Sequence, residues 1–129
     1  DQIIKCDYVG GACLMIKCEM IEKVGLIPEC YFLFFEETEW CLRAKKNNYQ
    51  VVCVPRAKIF HKGSAAIKKI SGLSEYYFYR NQVVFEKRNA SKIQFITFCI
   101  YLLLHLPGKI IFGKNRSIKF KAVIDGFCF

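Results

Sequence analysis

Between Ile93 and Phe112 the chain is apolar apart from Gln94, Thr97, His105 and Lys109, and this stretch limits the possible folds most strongly. A membrane-spanning helix needs about 20 predominantly apolar residues. Here the uninterrupted part runs only from Phe98 to Leu104, and Pro107-Gly108 is expected to break the helix there. Lys87, Arg88 and Lys92 precede the stretch; Lys109, Lys114, Arg116, Lys119 and Lys121 accompany or follow it. An apolar helix flanked by cations suits the interface of an anionic bilayer better than a span across it. An ordinary core helix, or one packed on another domain, is the competing reading.

The charge is unevenly placed. Residues 1–60 carry eight Lys/Arg against eight Asp/Glu, whereas residues 61–129 carry twelve against three, so the second half holds the whole excess of +9. Such asymmetry points to an anionic partner. A nucleic acid is a poor fit, because the cations surround an apolar stretch and no RNA- or DNA-binding motif is present. With 129 residues, 53% of them hydrophobic, the chain has the length of one domain and the composition of a folded one.

Eight cysteines occur without a C-x-x-C pair and at irregular spacings, which argues against a zinc ribbon or finger. Several lie inside apolar runs, such as Ala12-Cys13-Leu14 and Val52-Cys53-Val54, where a thiol behaves as a small hydrophobe. A reduced, cytoplasmic chain is expected, and the N-x-S triplets at Asn89 and Asn115 are then chance matches. No signal peptide opens the sequence, and both ends read as cuts through a longer protein.

Along the chain, Tyr8 to Lys17 reads as a buried strand behind Gly10-Gly11. Residues 18–24 read as a short helix stopped by Gly25, and Tyr31 to Phe35 as a buried, partly extended connector. From Thr38 to Asn48 the period becomes helical, with Trp40, Cys41 and Ala44 on one face and a Glu39/Arg43 pair on another. Strands are expected at Gln50–Val54 and Ala57–His61, then a loop at Lys62–Ala66 and a helix at Leu73–Arg88 capped by Ser74. The fold class is α/β, with a short mixed sheet and flanking helices.

Two places offer chemistry. Glu36, Glu37 and Glu39 gather three carboxylates beside Phe32, Phe34 and Phe35 at a helix start. The helix dipole alone would favour negative charge there. Neighbouring carboxylates against aromatic rings also make a general base, since burial and like charge raise a carboxyl pKa. His61 closes a strand and precedes Lys62-Gly63-Ser64. A neutral imidazole can ligate a divalent metal, and a Lys with Gly-Ser amides can meet phosphate.

Taken in order, the blocks Asp7–Ile16, Val24–Leu26, Tyr31–Ala44, Tyr49–Pro55, His61–Ser64 and Tyr77–Asn81 form a connected series. It resembles the second half of the family-2 inverting glycosyltransferases of the rhamnosyl- and galactofuranosyltransferase kind, over about residues 3–88. The resemblance implies a GT-A fold, with residues 1–90 forming its acceptor-side part; residues 91–129 read by composition as an apolar, basic-flanked segment of amphipathic helices.

By position the resemblance makes Glu37 the general base, with Glu36 and Glu39 beside it, and His61 the metal-holding residue. It puts Gly11 and Ala12 on the acceptor or sugar side, where Trp40 is a further candidate, and Arg43, Arg80 and Asn81 in structural support; Lys62 and Ser64 are, by their own chemistry, the candidates for the diphosphate. It implies Mn2+ or Mg2+, a nucleotide-sugar donor and a glycan or lipid-linked acceptor in cell-surface polysaccharide synthesis at the cytoplasmic membrane face. Many relatives have Asp where this chain has Glu37 and Glu39. No Asp-x-Asp occurs anywhere in the chain. The donor site is therefore expected to lie outside these residues, leaving the chain inactive by itself and, through its exposed apolar surface, prone to self-association. A non-catalytic remnant or association module shares every motif and stands as the alternative; a basic nucleic-acid-binding module is a more distant one.

Overall fold

The computed structural model describes residues 2–62, 70–111 and 113–129, the side chains of residues 109–111 excepted. The chain forms two compact units, Asp1–Gly63 and Ser64–Phe129.

The first unit is built on two antiparallel two-residue strands, β1 (Ile4–Lys5) and β2 (Val52–Cys53), with Ile4 opposite Cys53 and Lys5 opposite Val52. The Cys6 N–H extends the pairing by donating to Val51 O at 3.0 Å. Helix α1 (Cys18–Val24) ends where Gly25, at φ 81°, turns its N–H back onto Ile21 O at 2.8 Å. A positive φ is nearly free only for glycine, so Gly25 is the stop the sequence indicated. After Pro28 a 3-10 turn (Glu29–Tyr31) leads into helix α2 (Glu36–Lys46).

Trp40, Cys41 and Ala44 of α2 are buried as their spacing requires, and Tyr31 is buried with them. The Trp40 indole N–H donates to Gly25 O at 2.9 Å, fastening α2 to the end of α1.

Three expectations for this unit need correcting. Tyr8–Lys17 is not a buried strand: it makes no ladder, and most of its residues are exposed. Instead residues 7–11 lie along α2, held at three points. Asp7 receives Lys45, the backbone of Val9 hydrogen-bonds the Cys41 thiol, and the Gly11 N–H donates to Glu37. Two extended residues advance about 6.6 Å and four helical residues about 6 Å, so the register 7/45, 9/41, 11/37 keeps step. Second, Ala57–His61 has no regular structure, and the Gln50–Val54 strand shrinks to β2. Third, the sheet among the described residues is a single antiparallel pair rather than a mixed sheet. The apolar runs supply strand-forming side chains, but no described neighbour offers them a ladder.

The second unit is helical: α3 (Leu73–Asn89), α4 (Lys92–Ile111) and α5 (Arg116–Cys128). Its core is Val83, Phe98, Leu102 and Val123, with Tyr79, Phe95 and Leu106 packed against it. Helices α3 and α5 approach closely at Gly126, where an added Cβ would lie 2.7 Å from Arg80 O and 2.8 Å from Val83 Cβ.

Gly72, at φ 79°, precedes α3 in place of the expected Ser74 cap, and Tyr76 N–H returns to Gly72 O at 2.9 Å. Helix α4 begins with a reciprocal cap. The Ser91 N–H donates to Gln94 Oε1 at 2.9 Å, and the Gln94 N–H donates to Ser91 Oγ at 3.4 Å. Pro107 does not end α4. It costs one backbone hydrogen bond, that of the Leu103 carbonyl, about one turn from the helix end.

Candidate functional site

Three phenylalanines bring the chain into α2 in strained conformations. Phe32, Phe34 and Phe35 have φ of 61°, 64° and 73°, a region bulky side chains rarely adopt. Such outliers persist where surrounding structure over-determines them, and they concentrate at functional sites. Here they turn the chain sharply enough to set Glu36 and Glu37 at the first turn of α2, with Phe35 as the left-handed N-cap.

The two carboxyls are held differently. Glu37 Oε1 accepts the Gly11 N–H at 3.2 Å, linking the glycine turn to the acidic cluster across 26 positions. Glu36 lines an open cleft of about 450 Å³ together with Ile27, Pro28, Glu29 and Phe32. Oε2 of each glutamate is buried without a hydrogen-bond partner among the described residues. Two carboxylates offer only acceptors to each other, so one proton is needed to join them.

Glu36 is held toward its protonated form. Burial pushes its pKa up; its own backbone N–H opposes this, while the charge and hydrogen bonding of Glu37 add to it. Burial also raises the Cys41 thiol, against a hydrogen bond from the Val9 backbone, with Cys6 and Glu37 nearby. A glycine turn lies over the pair, and a Cβ added at Gly11 would meet Glu37 Oε1 only at an ordinary 3.6 Å.

Glu39 is placed otherwise. It is 2% exposed and receives the Tyr31 hydroxyl on Oε2 and Arg43 on Oε1. Those contacts tie Glu39 at the start of α2 to Tyr31 and to Arg43 one turn on. Trp40 is 6% exposed, its indole N–H committed to Gly25, so it offers no face to a sugar in this form.

Gly11 and Ala12 are exposed, as are His61 and Lys62, which follow β2 in irregular chain. Ser64 lies outside the described residues. No three His, Cys, Asp or Glu side chains gather to hold a metal ion among the described residues. Arg80 and Asn81 belong to the second unit. There Arg80 donates to Asn81 Oδ1 at 2.7 Å and lies over the Phe129 ring at 4.6 Å, with Asn81 fully buried.

Sequence reasoning missed Tyr31 as the partner of Glu39. The eight-residue separation gives no periodic signal, although a tyrosine beside a buried acid is its natural donor.

No family profile and no solved structure matches the chain. Curated sequences do. A low-salt glycan biosynthesis hexosyltransferase, Agl10, of Haloferax volcanii is 26% identical over 115 residues, covering 84% of this chain and 37% of that protein. A dTDP-rhamnosyl transferase, RfbF, of Shigella flexneri is 28% identical over 125 residues, covering 87% of this chain and 42% of that protein. The chain therefore spans about two fifths of the length of the curated relatives it matches. Over most of its length the chain is similar to glycosyltransferases of glycan and polysaccharide biosynthesis.

Proposed function

We propose that this chain is the acceptor-side part of a family-2, inverting glycosyltransferase of GT-A fold. In this reading the complete enzyme moves a sugar from a nucleotide-diphosphate donor to a glycan or lipid-linked acceptor. The observation that carries the reading is the meeting of Gly11 and Glu37. In this reading Glu37 is the general base and Gly11 lines the acceptor or sugar side, and the two touch although 26 positions apart in sequence. Support comes also from the sugar-transferase activities named for the two relatives.

The chemistry follows from the carboxyl pair. Glu37 takes the proton from an acceptor hydroxyl as that oxygen attacks the anomeric carbon; the bond from that carbon to the diphosphate oxygen breaks on the opposite face, giving inversion. Burial holds Glu36 toward its protonated form, and Glu37, whose Oε1 meets the Gly11 N–H, is the base in this reading. The open cleft beside Glu36, lined by Phe32, Ile27 and Pro28, offers apolar contact to a sugar ring or its carrier.

A divalent cation, Mn2+ or Mg2+, would neutralise charge on the departing diphosphate when bound. His61 is the one ligand this chain is proposed to offer it, and the described residues do not form a metal site by themselves. Lys62 would pair with the same phosphates.

The test is Glu37→Gln in the full-length transferase. Loss of a positioned base should lower turnover by roughly 10²–10⁴-fold with donor affinity unchanged. Turnover within a few-fold of wild type would overturn the assignment.

A further inference from the structure

Helix α4 is apolar on two opposite faces, and only one of them is covered. Phe98 and Leu102 are 8% and 7% exposed and belong to the core, with Phe95 and Leu106 beside them. On the other side Ile93, Ile96, Ile100, Leu103 and Leu104 are each between 50% and 75% exposed. At 100° per residue these five fall within an arc of roughly 100° centred opposite the buried set. A surface helix ordinarily turns charged or polar residues outward there.

The charges around the stripe are of one sign. Residues 64–129 carry eleven Lys/Arg and three Asp/Glu. Of the three acids, Glu75 receives Asn115, Asp125 receives Tyr76 and Lys121, and Glu86 is half-buried on α3. Lys87, Arg88 and Lys92 are exposed before or at the start of the stripe, and Lys114, Arg116 and Lys121 beyond its end.

We infer that this stripe is a docking surface for an anionic lipid bilayer. The helix lies in the plane of the interface, its five aliphatic side chains among the upper acyl segments and the flanking cations on lipid phosphates. Among the described residues no helix is long and apolar enough to cross a membrane, so the contact is with one leaflet. A second copy fits less well. Stacking two stripes in either direction sets cationic helix ends against cationic helix ends, with no exposed acids on this unit's stripe to offset them. Nucleic acid would meet a face without hydrogen-bonding groups. The inference goes beyond the proposed transferase chemistry and is independent of it, using none of the residues of the first unit.

The experiment is flotation of the 129-residue chain with vesicles of phosphatidylcholine alone, or with about a third phosphatidylglycerol. Binding is expected to the anionic vesicles only and to weaken as salt screens the cations. Lys92→Glu and Lys114→Glu should each lower partitioning by about fivefold or more. Ile100→Glu/Leu103→Glu, at exposed positions, should lower it at least about tenfold with helicity by circular dichroism unchanged. The inference is overturned if anionic vesicles do not carry the chain, or if the double variant floats as wild type does. It is equally overturned if that variant instead dissolves a dimer or abolishes RNA binding in a chain that never binds vesicles.

Discussion

The backbone N–H of Gly11 meets Oε1 of Glu37 at 3.2 Å, and the contact is the last of three that lay residues 7–11 along helix α2. At the other end of that register Lys45 holds the Asp7 carboxyl below its usual range. Because the contact at Gly11 uses the backbone, the residue type is constrained by the donor and not by space: an added Cβ would sit 3.6 Å from Glu37 Oε1. Gly11→Ala keeps the N–H and should change stability by less than about 0.5 kcal/mol. Gly11→Pro removes the donor and, if the proposed function holds, should lower transfer by the full-length protein well below the alanine variant. Equal activity of the two would show that the hydrogen bond does not position Glu37.

The raised pKa of Glu36 gives stability a definite pH dependence. The folded chain holds a proton there that the unfolded chain releases near the ordinary value of 4.5. Between that value and the raised one the native state binds more protons, so stability falls as pH rises through the window. Below 4.5 the effect vanishes, since both states are protonated. Glu36→Gln keeps the neutral form at every pH. It should therefore be more stable than wild type at pH 7 and no more stable at pH 4, as read from urea midpoints. A gain that persists unchanged at pH 4 would show that Glu36 does not carry the proton.

Glu39 anchors α2 through Tyr31 and Arg43, both within the first unit. Tyr31→Phe deletes the hydroxyl that meets a carboxylate 2% exposed, so about 1–3 kcal/mol should be lost. Arg43→Gln should cost less, because Arg43 is 30% exposed and solvent screens the pair. The double variant should lose less or more than the sum, since both partners share one carboxyl. Strict additivity in a double-mutant cycle would contradict that sharing.

The features legible in the sequence are those written locally. The α1 stop at Gly25, the Trp40/Cys41/Ala44 face and the span of α3 all follow from spacing within one or two turns. The Ser91/Gln94 cap is equally local, S-x-x-Q before an apolar run, yet the apolar run itself draws attention away from it. Tyr8–Lys17 reads as a strand because an apolar extended segment has the same composition whether a β ladder holds it or three contacts along a helix do. Those contacts join residues 26 to 38 positions apart, and no period encodes them. Glu39 shows the same limit. Its i,i+4 partner Arg43 is legible, but its burial depends on Tyr31, which reaches it across the turn made by three strained phenylalanines. Helix α5 falls within the expected helical segment 91–129, but its bounds carry no sharp signal because Arg116–Cys128 mixes cations with aromatics.

Gly126 and Gly108 should answer the same substitution with opposite signs. Both are helical, so alanine gains up to about 1 kcal/mol of helix propensity at either. At Gly108 nothing among the described residues lies within 4 Å of the new methyl, and Gly108→Ala should therefore raise stability. At Gly126 the methyl would stand 2.7 Å from the Arg80 carbonyl oxygen and 2.8 Å from Val83 Cβ, both on α3. Neither is the loose end of a flexible side chain, so α3 and α5 must separate. Overpacking of that kind costs roughly 1–3 kcal/mol and exceeds the propensity gain. Gly126→Ala should melt below wild type and Gly108→Ala above it in thermal scans of the 129-residue chain. A Gly126→Ala chain that melts at or above wild type would mean that the two helices do not pack at this glycine.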